Sequence, residues 1–398
     1  MKRKAHWGYP LLASLIAAPA MASGDLQING FLSVGASMLD DNKASIAGAD
    51  NQGGFKNDNV LGLQLQKQVN DSTTVTGQLV SRGSDDYKTE AAWAFVTYAA
   101  TDDLDLRMGR LRIPFFYYSD FLEVGYAYNW VRPPEEVYRI PFSSIDGIDL
   151  TQRFSSGEVD GSVQFYYGRY EGSFDTATDT YDADFRNFTG LTLTTNLGNF
   201  GTRLSYHQAE LILDTSVEGT TLNSAIGAAG AIAAVPAGVD VGTATGIPAL
   251  TGLTGVGDAS AADDFSITGQ TSQFYEAAIF YDNGDISLIA EWTMLDQENS
   301  LFLDDQAWML SVAKRLEDIT IHATYSTQED KYDSGNEGEI QKQLPLLTEE
   351  TSVTLGLRYD YDSSTALKFE VQHNDEETYA GADGDSAILY SVAVDVIF

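Results

Sequence analysis

The chain ends on a run in which every second residue is apolar. Ile388, Tyr390, Val392, Val394, Val396 and Phe398 share one face, and Ser391, Ala393 and Asp395 share the other. A period of two is that of a β-strand buried on one side. Segments of about ten residues with the same alternation, divided by turn signals, recur along the chain. They are read at 25–39, 59–69, 73–82, 91–100, 104–112, 147–154, 159–169, 185–195, 200–211, 274–281, 286–294, 306–315, 319–325, 351–361, 366–373 and 387–398. Asp282-Asn283-Gly284-Asp285 is the plainest hairpin signal between them, because Asn-Gly accepts positive φ.

Sixteen such segments, joined alternately by tight turns and mostly long connections, constrain the fold strongly. Aromatic residues fall near segment ends on the apolar face (Tyr281, Trp292, Tyr325, Tyr359, Tyr361, Tyr390). A soluble sandwich has no reason to put so many aromatics away from its core, whereas a membrane barrel needs aromatic girdles. The expected fold is an all-β transmembrane antiparallel barrel of about sixteen strands. That width leaves an aqueous lumen where eight strands would fill with side chains.

The beginning of the chain suggests export. Lys2, Arg3 and Lys4 precede the apolar stretch 10–18, and Ala20-Met21-Ala22 has the form of a signal-peptidase site. The expectation is a signal peptide over 1–22 and a barrel over 23–398. Past that leader no run of 18 apolar residues occurs, so membrane entry must use strands. The chain has no cysteine, which excludes thiol chemistry and leaves stability to a closed hydrogen-bond network. Its 58 acidic residues against 23 Lys and Arg exclude nucleic acid as a partner.

If the apolar parity faces lipid, the other parity faces water. It carries Arg82, Arg107, Arg153, Arg203, Arg358 and Lys368 on six strands. A charge at mid-depth on the lipid face costs about 2–4 kcal/mol, so the inside is where these belong. They either line a channel or pair with inward acids. The connection 113–146 follows the fifth strand and carries Asp120, Glu123, Arg132, Glu135 and Glu136. It also holds eight aromatics between Phe115 and Trp130. Such a loop folds against something rather than staying in solvent. Its aromatics serve either as packing or as a track for sugar faces.

In Gly109-Arg110-Leu111-Arg112 and Arg132-Pro133-Pro134-Glu135-Glu136-Val137-Tyr138 the chain resembles the Gram-negative porins, including their phosphate-selective and marine general-diffusion branches. The terminal aromatic Phe398 resembles the signal by which outer-membrane proteins are recognised for insertion. The resemblance implies an outer-membrane homotrimer, in contact with lipopolysaccharide, for passive diffusion of small hydrophilic solutes and ions, without a cofactor. It implies that 113–146 folds inward and narrows the pore, with Asp120, Glu123, Glu135 and Glu136 facing Arg82, Arg107, Arg110 and Arg112. Arg110 and Arg112 share the parity of Leu106 and Met108, so a lumenal place for them requires a bulge. A channel selective for sugar or phosphate, and a barrel that only anchors an enzyme or adhesin, are the other readings.

Three further features carry weaker signals. The long external connection 212–270 is low in complexity over 219–262, with a short helix expected at 222–235. The reading is a flexible loop, with a lid or a trimer contact as alternatives. Asp175, Asp179, Asp182 and Asp184 offer oxygen ligands for Ca²⁺, but their spacing is not that of an EF-hand. Ser205 and His207 share a strand face without an evident partner acid.

Overall fold

A computed structural model describes residues 26–41, 46–175, 180–213, 221–260, 268–297, 302–344, 347–378 and 386–398. The expected leader over 1–22 lies outside them. Sixteen antiparallel strands close into one barrel, each paired with its sequence neighbours, and the first pairs with the last. They are β1 (Gln27–Leu39), β2 (Val60–Asn70), β3 (Thr73–Arg82), β4 (Thr89–Ala99), β5 (Leu104–Arg112), β6 (Ser144–Ser156), β7 (Val159–Asp175) and β8 (Thr180–Leu197). The second half is β9 (Phe200–Leu213), β10 (Thr268–Asp282), β11 (Ile286–Gln297), β12 (Asp304–Leu316), β13 (Ile319–Lys331), β14 (Thr348–Asp360), β15 (Thr365–Thr378) and β16 (Ser386–Ile397).

Every expected segment is a strand. The longest, β7 and β8, extend several residues beyond the apolar alternation at their upper ends, where polar and charged residues continue the ladder. The tight turns are made as their residues require. At Asp282–Asp285, Gly284 takes a φ of 89°, and Asn283 Oδ1 accepts from the Asp285 and Ile286 amides.

Closure is made where the sequence ends. Val34 lies opposite Val394 and Leu32 opposite Val396. Gly30 donates to the Phe398 carbonyl at 2.7 Å and accepts from its amide at 2.9 Å. The Phe398 ring covers Gly30, where a Cβ would stand 2.3 Å from it. The absent side chain at Gly30 leaves room for the Phe398 ring to lie against the seam.

The parity divides the barrel. Val34, Leu63, Leu106, Ile148, Leu191, Leu204, Leu310, Leu355 and Val392 are exposed on the outer face, a band no water-soluble protein would present. Inside stand Ser33, Gln78, Thr192, Ser205, Glu291, Thr324 and Ser352, all buried. A barrel this wide cannot be filled by its own side chains. These groups are covered by other parts of the chain.

Candidate functional site

The segment between β5 and β6, residues 113–143, does most of that covering. Strand β6 begins at Ser144, so the expected loop end at 146 moves inward by three residues. From its root the segment reaches inward-parity groups on β9, β11, β13, β14 and β15, far around the barrel from β5.

At the root, Arg203 on β9 donates to the carbonyls of Pro114 and Phe115 while pairing with Glu276 at 2.6 Å. Glu291 on β11 accepts from the Tyr117 amide at 2.8 Å and from the Tyr138 hydroxyl, joining outgoing and returning arms. Arg358 on β14 donates 2.8 Å bonds to the carbonyls of Tyr126 and Tyr128. Lys368 on β15 donates to those of Gly125 and Trp130 and lies 2.8 Å from Asp395. The Trp130 indole donates to Thr324 at 2.8 Å. Arg132 reaches Ser37 and Asp58 near the outer end of β1.

Half of the aromatic run is buried packing, and Tyr117, Tyr118, Phe121 and Tyr126 stay part-exposed. The Phe115 ring centre lies 5.1 Å from those of both His207 and Phe274, and Phe116 lies 4.7 Å from Tyr138. Phe115, Phe116, Tyr128 and Trp130 are buried with the wall residues Tyr166, Phe188 and Phe274. The same lining explains Ser205 and His207. His207 bonds Ser205 Oγ at 2.9 Å and the Tyr166 hydroxyl at 2.7 Å, but it is 1 % exposed beneath Phe115. No substrate can reach that serine in this arrangement.

The expected wall cations therefore separate into classes. Arg82, Arg107, Arg153, Arg203, Arg358 and Lys368 all take the inward parity. Lys368, Arg203 and Arg358 are buried beneath the loop, with Lys368 at 0 % exposure, so they do not line open space. Arg107 keeps about a quarter of its side chain exposed, holds Asp149 through two 2.9 Å bonds and lies over the Phe95 ring. Arg153 sits low on β6 with Asp105. Arg82 binds Glu90 and Glu123.

The top of β5 departs from regular alternation. Gly109 has a φ of 134°, where a Cβ would meet the Ala94 carbonyl at 2.2 Å, and the β3–β4 pairing skips Ala92. Beyond this kink, Leu111 and Arg112 are both buried; Arg112 lies over the Trp93 ring and 3.5 Å from Glu123. Arg110 stands opposite Ala94 and Asp146 in the sheet and is half-buried, close enough to Tyr170 to act on it electrostatically.

Only part of the expected opposition of charges is brought together. Glu123 faces Arg82 and Arg112. Burial would raise its pKa, but the two guanidiniums outweigh that and hold it below the usual carboxylate range. Asp120 is exposed and acts electrostatically on Arg107 and Arg112. Glu135 and Glu136 lie elsewhere. Glu135 is exposed near Arg132, and Glu136 is buried on Ser326 at 2.9 Å. Sequence reasoning missed the anchoring roles of Glu291, on the Tyr117 amide, and Asp395, on Lys368. Each is an acid at inward parity within an apolar strand, which was the available signal.

Among the acids considered for Ca²⁺, Asp184 is taken by Arg169 at 2.7 Å and Arg186 at 2.6 Å, and Asp179 lies outside the described residues. Among the described residues no group of three His, Asp or Glu is arranged to hold a metal ion.

No family model and no curated protein matches the chain. Solved structures do. The channel DcaP of Acinetobacter baumannii is 10 % identical, with 95 % of this chain and 99 % of that one covered and a TM-score of 0.58. In-vitro folded OmpT of Vibrio cholerae is 15 % identical over 96 % and 100 %, with a TM-score of 0.57. An anion-selective porin from Comamonas acidovorans is 12 % identical over 94 % and 100 %, with a TM-score of 0.54. At these identities the likeness is one of fold: the chain has the sixteen-stranded architecture of outer-membrane porins.

Proposed function

We propose that the protein is an outer-membrane porin, a passive channel for small hydrophilic solutes and ions, narrowed by residues 113–143. The observation that carries this is the anchoring of that segment. Wall cations take its carbonyls and a wall carboxylate takes the Tyr117 amide, so it is held within a barrel whose outer face is apolar. Beside it Arg82, Arg107, Arg112, Asp120, Glu123 and Asp149 gather charge of both signs, an arrangement that orients polar solutes and filters ions. Assembly as a trimer and contact with lipopolysaccharide belong to the same proposal.

Planar-bilayer recording tests it. Stable ohmic steps are expected, and a correctly folded barrel that stays silent would sink the reading. Asp120→Asn should shift the reversal potential in a salt gradient toward anion preference. Glu136→Gln should leave it unchanged, because that carboxylate is buried. Competition of the current by oligosaccharides or inorganic phosphate would separate a general channel from a selective one.

A further inference from the structure

Among the described residues, the external segments after β9 and β13 form one folded body, with a helix where the sequence leads one to be expected, at 222–235. Helix α1 (Thr221–Ala234) follows β9, and α2 (Val241–Thr245) lies in the return. The amides of Val256, Gly257 and Asp258 donate to the carbonyls of Ile232, Val235 and Ala233 at 2.8–2.9 Å, closing the C-terminal end of α1. Helix α3 (Gly335–Gln341) hangs from β13 and packs against α1. Gln343 fastens the two segments by accepting from the Thr254 amide at 2.6 Å and donating to its carbonyl at 3.0 Å, and Asn336 donates to Asp258 at 2.9 Å.

This body lies toward the barrel axis. Its core of Ile232, Ala233, Val241 and Ile340 is fully buried, and it rests on Leu211 and Leu213 of β9, both at inward parity. Its anchors, β9 and β13, have three strands between them, so it forms a strap over that arc of the outer mouth. Phe185 packs against both the strap's core and the aromatic core of segment 113–143. The strap is therefore stacked on the internal segment's footing rather than extended into solvent.

We propose that the α1–α3 strap is a second size filter, in series with the internal segment, which restricts bulky hydrophilic solutes at the outer mouth. It rests on the channel reading above. Two filters separated along one path can discriminate different properties. The strap excludes by the bulk of its packed helices, while charge selection at the narrowest point stays with the Arg107 and Asp120 region.

Two variants test it in liposome-swelling assays with sugars from monosaccharide to tetrasaccharide. One replaces residues 224–256 with a short Gly-Ser linker. The other, Ile232→Asp with Ile340→Asp, keeps chain length but places two charges in the strap's core. Both should raise the tetrasaccharide-to-monosaccharide rate ratio severalfold, and the linker variant should leave the reversal potential in a salt gradient unchanged. Conduction by wild type and variants with the same rate ratio would overturn the strap filter alone. Silence of every form, with heat-modifiable barrels on gels, would overturn the channel reading and this one with it.

Discussion

Two parts of the chain cover the lumen and are held by opposite physics. The internal segment 113–143 is fixed by buried charges: Lys368, Arg358 and Arg203 donate to its backbone carbonyls, and Glu291 accepts from its amide. The outer strap is fixed by an apolar helix core and a few amide side chains. Buried charges hold one geometry stiffly, because any departure strands an ion in a poor solvent. Apolar packing tolerates sliding and local opening. If the internal segment is the proposed constriction, stiff anchoring by charge suits it, and yielding apolar packing suits the proposed outer filter.

The comparison is broken most severely at Lys368. Lys368→Met removes two donors from the loop's backbone and leaves Asp395 buried without its cation. Breaking a buried pair this way costs about 3–5 kcal/mol. A lower urea midpoint for the folded barrel and flickering single-channel current are expected. Adding Asp395→Leu should restore much of the stability but not the quiet current, since the carbonyls of Gly125 and Trp130 stay unbonded. A milder break is Trp130→Phe, which keeps the packing and drops the bond to Thr324. It should cost about 1 kcal/mol by the same urea titration and add little noise.

The smallest effect expected is in the strap, and it depends on pH. Asp333, at the root of α3, is raised to about 6 by burial and by Asp304, Glu337 and Asp296, against the bond it accepts from Gln341. A carboxyl raised in the folded form binds its proton more tightly there. The stability it lends is fully present below the ordinary carboxylate range and is lost as pH rises through about 6. Because the side chain is part-exposed, solvent screening keeps the effect modest. Hydrogen exchange of the α3 amides should be slower at about pH 5 than at about pH 7.5, after correction for the intrinsic rate. Asp333→Asn should flatten that difference; an unchanged difference would place its origin elsewhere.

Much of the fold was legible because parity is local. Val392 and Val394 face out and Ser391 and Asp395 face in whatever else the chain does, since alternate Cβ atoms point to opposite sides of a strand. Arg112 shows where parity stops, because the φ of Gly109 and the skipped Ala92 are features of the folded sheet. The helix expected at 222–235 forms at Thr221–Ala234, but Ala and Gly over 219–262 carry little amphipathic signal, so its packing partner on β13's segment was not legible.

The sequence by itself determined sixteen strands, their lipid and inner faces, and which cations point inward. Only the tertiary structure decided which of those cations meet water. Lys368 bonds the carbonyl of Gly125, 243 residues earlier, and becomes fully buried, while Arg107 stays part-exposed beside Asp149. No periodicity encodes that difference. Burial beneath a loop is set by contacts between distant parts of the chain, and these exist only once the barrel has closed around it.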